Sequence, residues 1–238
     1  MDLDNRSARA NTGVNSAQYN EGLRAYMLRI YNYMTAALVL TGLVAYIAST
    51  SPALMQAIYG TPLKFLVLLA PLGIVIYLSM RINSLSVQSA QTWFWVYAAA
   101  MGLSLSSIFL IYTGTSITRC FFITASVFGS MSLYGYTTKK DLTGMGSFMI
   151  MGLYGIIIAS LVNMFMRSSG LDFAISALGV VVFTGLTAYD TQKLKELYYM
   201  GGGSPDNLGK VAIMGALTLY LDFINLMLML LRFFGDRK

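Results

Sequence analysis

The sequence contains no histidine. That absence removes the usual general base at neutral pH, the Ser-His and Cys-His nucleophile systems, and imidazole metal ligands. It contains one cysteine, Cys120, which excludes an internal disulfide and a thiolate metal cluster. Charge is scarce as well. Asp, Glu, Lys and Arg make up 11% of the 238 residues, where a soluble domain carries about 25%. No soluble domain of any size fits that composition. The net charge of +6 needs no nucleic acid to explain it, because the basic residues gather at the ends of apolar segments. The expectation is therefore a chain with no nucleic-acid partner, no tightly bound cofactor and no enzymatic activity.

What the chain has in abundance is apolar sequence. Hydropathy gives seven segments, near 28–49, 63–81, 91–112, 117–137, 146–166, 172–194 and 209–232. Each is long enough, or nearly so, to cross a hydrocarbon core of about 30 Å. In lipid a spanning segment must satisfy its own backbone groups, so these are helices. The expected fold is an all-α integral membrane protein with seven transmembrane helices and the lipid bilayer as its solvent. Residues 1–24 are polar, rich in Asn, Ser and Arg, and are expected to form a disordered tail ahead of a transmembrane domain over 25–238. With the N-terminus in the cytosol and seven crossings, ten of the sixteen Lys and Arg residues fall inside. The basic residues after the last segment, Arg232, Arg237 and Lys238, then fall outside. A re-entrant last segment would bring them in.

Two carboxylates stand inside the apolar stretches: Asp190 in TAYDTQKLK and Asp222 in LYLDFINL. A charge at the centre of a membrane helix costs about 2.5–3.5 kcal/mol, so such residues mark function by default. On the last helix Gly215, Thr218, Asp222 and Asn225 share one face. On the sixth, Ser176, Gly179, Phe183, Thr187 and Asp190 form a weaker stripe. If the stripes face each other the carboxylates are close, and in low dielectric the pair titrates as a unit around a shared proton. Thr187, Thr218, Asn225 and Gly215 lie along these two stripes, which should point into the bundle and not at lipid. Asp190 has a second reading, as an interfacial residue paired with Lys193. Arg81, at the end of the second segment, has two as well: it snorkels to the headgroups, or it pairs with the aspartates from within.

Smaller features fill in the picture. Ala98, Gly102 and Ser106, then Ala125 and Gly129, then Gly155 and Ala159 are small residues at four-residue spacing, suited to close helix packing. Trp93, Trp95, Tyr97, Tyr198 and Tyr199 read as interfacial anchors. Asn163 reads as an interhelical hydrogen-bonding residue, and Asp172 as a carboxylate placed at a helix N-terminus. The run GGGSPDNLGK lacks phosphate-loop spacing and reads as a flexible connector.

The run LTLYLDFINLMLMLLRFFG, preceded by a helix ending AYDTQKLK, resembles the Bax inhibitor-1 family. The resemblance implies a seven-helix membrane protein with the last helix central. It implies a pH-sensitive leak of calcium, with protons competing at the family's paired aspartates, which fall on Asp190 and Asp222; under it those two become a contact for a cation such as calcium, and Thr187, Thr218, Asn225 and Gly215 become pore-lining candidates. The family's arginine that exchanges pairing with them falls on Arg81. It also carries a second expectation, a membrane interaction protein acting in cell-death control or on a membrane protease, through a membrane-protein partner; a third reading, a proton-coupled cation antiporter, uses the same two aspartates. The short loops lead to the expectation of a bacterial inner membrane, with the N-terminus cytoplasmic.

Overall fold

The computed structural model describes the backbone of residues 2–200 and 205–238, and the side chains of residues 20–200 and 207–238. Among the described residues there are nine helices: α1 (Asp2–Ser49), α2 (Pro52–Tyr59), α3 (Leu63–Arg81), α4 (Val87–Leu105), α5 (Ile108–Ile111), α6 (Gly114–Thr137), α7 (Thr143–Met166), α8 (Ser169–Met200) and α9 (Pro205–Phe234). Seven stretches are long and apolar enough to cross a membrane: Asn20–Ser49, Leu63–Arg81, Val87–Ile111, Gly114–Thr137, Thr143–Met166, Ser169–Met200 and Asn207–Phe234. The chain is thus an all-α multi-pass protein. The backbone of α1 is helical from Asp2, and its membrane-crossing stretch begins at Asn20. Once a helix is nucleated, each further residue adds a hydrogen bond without a new nucleus. The first four residues of the glycine-rich connector, 201–204, lie outside the described residues.

Helix ends are set by local chemistry. Ser51, Ser86 and Thr113 accept hydrogen bonds from the N–H groups of Leu54, Ser89 and Ser116, three residues on. Pro52 stands at the first turn of α2, where its missing N–H costs nothing. Arg167 ends α7 in the left-handed region, at φ 50°. Where α4 gives way to α5, the Tyr59 hydroxyl donates to the carbonyls of Leu103 and Ser104. That satisfies groups a helix break would leave orphaned in lipid.

The last two helices form the centre. α9 packs on α8, α1, α6 and α4, and α8 also receives α7 and α6. α9 is the most buried span and α8 the next. α3 leans on α4 and α7 on α8, each leaving most of its surface outward. The outward residues are apolar, among them Phe65 and Leu66 on α3 and Ile158 and Phe165 on α7. That is the inverse of a soluble fold and what a bilayer demands.

The small residues divide into two groups. A Cβ on Gly102 would lie 2.7 Å from the Thr41 carbonyl oxygen, so the Ala98–Gly102–Ser106 face is the α1–α4 contact. Gly129 and Gly155 instead have open space around them. The inward face of α6 is Ser116, Cys120, Thr124, Phe128, Ser132 and Gly135, not the face of Gly129. Gly135 makes the tightest approach, against the Ala188 carbonyl of α8. Tyr97 is not an interfacial anchor. It is fully buried with its ring against Tyr220, centroids 5.3 Å apart. Asn163 acts locally: its Oδ1 accepts from the Ser168 N–H in the α7–α8 turn.

Candidate functional site

The two polar stripes meet. Gly179 of α8 lies against Met229 of α9, and Gly215 of α9 against Leu194 of α8, so the faces that carry the aspartates are apposed along their length. The side chains of Asp190 and Asp222 come within hydrogen-bonding reach of one another. Their surroundings differ. Asp222 is 5% exposed, and its Oδ2 finds no hydrogen-bond donor among the described residues. Asp190 is half-buried and faces a cavity. A buried carboxylate oxygen without a donor is costly. One proton held between the two carboxylates gives each a partner, and a deprotonated pair gives a cation two oxygen ligands.

The cavity has a volume of about 760 Å³ and lies between α8, α9 and the α3–α4 turn. It exists because α3 packs on α4 and leaves the α8–α9 pair uncovered at this end. Its outer wall carries Asn83, Lys193, Asn207 and Lys210, and the Lys210 ammonium donates to the Asn83 carbonyl at 3.1 Å. Its inner limit is Asp190 on α8 and Gly215 and Thr218 on α9. Beyond Asp222 the route is filled by Leu226 and Leu230 of α9 packed with Val182, Phe183 and Leu186 of α8. The cavity therefore reaches the carboxylates from one end only.

The other predicted residues divide around this frame. Gly215 and Thr218 line the cavity. Thr187 is fully buried away from it, its hydroxyl donating to the Phe183 carbonyl. Asn225 is half-buried, one turn further along α9 and outside the lining. Arg81 is exposed at the end of α3, and among the described residues no ion pair joins it to either aspartate. Its backbone carbonyl closes the α3–α4 turn, accepting from the N–H groups of Ser84 and Leu85. Its neighbours Ile82 and Asn83 line the cavity that Asp190 faces. Lys193 forms no ion pair with Asp190, and its ammonium lies 5.8 Å from the centre of the Tyr189 ring.

Two polar arrangements beside the aspartates escape sequence reasoning. Gln192 is buried and grips the α6–α7 turn from both sides, Nε2 donating to the Lys140 carbonyl and Oε1 accepting from the Leu142 N–H, each at 2.8 Å. In the same turn the Thr143 side chain, and then its N–H donating to Asp141 Oδ1, hold the Asp141 carboxyl below its ordinary pKa. A chain of hydroxyls runs from Tyr31 on α1 through Ser132 on α6 to Thr191 on α8. The four-residue spacing of Thr124, Phe128 and Ser132 is the signal for the second. Nothing in the sequence marks the first.

Among the described residues no group of three or more acidic or thiol side chains could hold a metal.

Comparison with known proteins agrees with this architecture. The family described as inhibitor of apoptosis-promoting Bax1 matches residues 23–238. A protein of Rickettsia prowazekii is 55% identical over 92% of this chain and 93% of its own. The inner membrane protein YbhL of Escherichia coli is 50% identical over 93% of this chain and 95% of its own. A membrane protein of Streptococcus pyogenes is 32% identical over 94% and 98%. With seven apolar helices, a match over nearly the whole chain and relatives of matching length, this is a multi-pass integral membrane protein of the Bax inhibitor-1 family.

Proposed function

We propose that the protein is a passive, pH-sensitive pathway for calcium, gated by the Asp190–Asp222 pair, and that it is not an enzyme. The observation that carries this reading is the asymmetry of the pair: Asp190 meets a polar-mouthed cavity while Asp222 is sealed behind it. A hydrated cation entering the cavity reaches Asp190 first. The charge of the deprotonated pair then draws the ion toward the apolar barrier of Leu226 and Phe183. A proton on the pair occupies the same oxygens, so proton and cation compete. Arg81, one residue from the cavity lining, is the cation that replaces either of them when the end of α3 swings inward. The membrane we assign is a bacterial inner membrane, as the name of the Escherichia coli relative says of that protein, with the N-terminus cytoplasmic by the distribution of Lys and Arg.

The test is calcium entry into dye-loaded proteoliposomes between pH 5 and 8, for wild type, Asp190→Asn and Asp222→Asn. Wild type should leak with a pH midpoint, and each substitution should flatten the profile. Flux equal to that of empty liposomes in all three would end the channel reading. The cavity's single open end favours a second reading, exchange of calcium for protons by alternating access. Under it, calcium movement drives opposite proton movement, which a pH dye in the same liposomes reads directly.

A further inference from the structure

We propose that a cleft at the other end of the bundle binds the phosphate of an anionic phospholipid headgroup. The cleft, about 440 Å³, lies where the end of α7, the start of α8 and the end of α9 converge. It is lined by three arginines, Arg167, Arg232 and Arg237, against one carboxylate, Asp172. Asp172 holds Arg232 and Arg237 loosely, each at 3.8 Å, and among the described residues Arg167 has no ion-pair partner. Most guanidinium N–H groups are therefore left for another anion, and planar arginine forks match phosphate oxygens.

The tail that carries Arg237 is held in place. The Ser116 hydroxyl donates to Asp236 Oδ2 at 3.0 Å, the Thr113 N–H donates to the Asp236 carbonyl at 3.1 Å, and the Lys238 N–H donates to that of Ile111 at 2.9 Å. Arg237 also sits over the Tyr112 ring. The backbone that carries Arg237 is thus positioned before any ligand arrives, which lowers the entropy cost of binding.

The occupant is a lipid and not a free anion because of what surrounds the cleft. Phe165 is 81% exposed, Met166 65% and Phe173 60%. These residues flank the arginines at the ends of membrane spans, where acyl chains meet headgroups. The positive-inside rule leaves basic residues at this end unexplained, and a structural lipid accounts for them.

The experiment is native mass spectrometry of the full chain in detergent, titrated with phosphatidylglycerol, with phosphatidylcholine, and with phosphatidylglycerol in competition with inorganic phosphate. Wild type should retain phosphatidylglycerol over phosphatidylcholine. The double variant Arg232→Gln/Arg237→Gln should weaken retention by about tenfold or more, as loss of charge-assisted hydrogen bonds does. Asp172→Asn, which removes the competing carboxylate, should strengthen it. Equal retention of the two lipids by wild type, or equal retention of phosphatidylglycerol by wild type and the double variant, would overturn the proposal. So would displacement by equimolar inorganic phosphate, which would make this a free-anion site. If the double variant does not fold, Asp172→Asn decides alone, and no gain counts against the site.

Discussion

Asp222 is buried and Asp190 half-buried at the cavity, and that difference sets what each substitution does. Asn at position 222 keeps the shape of the side chain and brings a donor to the Asp190 carboxylate, so Asp222→Asn should stay folded while losing the titration of the pair. Leu at 222 leaves Asp190 without its partner and should lower thermal stability in detergent relative to Asp222→Asn. The glycines allow a matched test of packing. A Cβ at Gly135 would collide with the Ala188 carbonyl oxygen, so Gly135→Ala must push α6 from α8. We expect a loss of roughly 1–3 kcal/mol, seen as a lower unfolding temperature in detergent. Gly129→Ala, in open space on the same helix, should be neutral or gain up to about 1 kcal/mol from helix propensity. Equal behaviour of the two variants would remove the close α6–α8 contact from this account.

At the scale of elements, the Gln192 clamp ties the α6–α7 turn to the helix that carries Asp190. Gln192→Leu fills similar space but abandons a buried N–H and a carbonyl, at a cost of about 1–3 kcal/mol. Amide hydrogen exchange in residues 138–142 should speed up markedly, while exchange in the middle of α9 stays slow. Gln192→Glu should give an intermediate result, because it can still accept from the Leu142 N–H. Unchanged exchange in both variants would mean that the turn is held by something else. The apposed stripes of α8 and α9 were legible as helical periodicity, since a polar residue that recurs at three and four positions must share a face. The clamp was not legible, because a lone Gln after Thr191 carries no signal of the turn it will meet fifty residues back in the chain.

For the whole molecule the telling property is a cavity open at one end. Cys120 is fully buried, so the wild-type chain should be inert to a water-soluble maleimide. Met214 lines the cavity and Leu226 lies in the apolar barrier. Met214→Cys should label from one side of the membrane only, and Leu226→Cys from neither. Labelling in intact cells against inverted vesicles then reports which face the cavity opens on. Reaction of Leu226→Cys from the side opposite the cavity would show a continuous pore in the resting protein.

Composition and hydropathy by themselves marked out seven helical segments long and apolar enough to cross a membrane, because transfer into lipid acts on each segment separately. They also singled out Asp190 and Asp222, because a carboxylate in an apolar helix is expensive wherever the helix packs. The tertiary structure alone decided which of them meets water, that Thr187 and Asn225 lie off the cavity, that Arg81 stands apart from the pair, and that Arg167, Arg232 and Arg237 share a cleft. Those outcomes depend on distances between helices far apart in sequence, above all on α3 leaning on α4 and leaving one end of the α8–α9 pair uncovered.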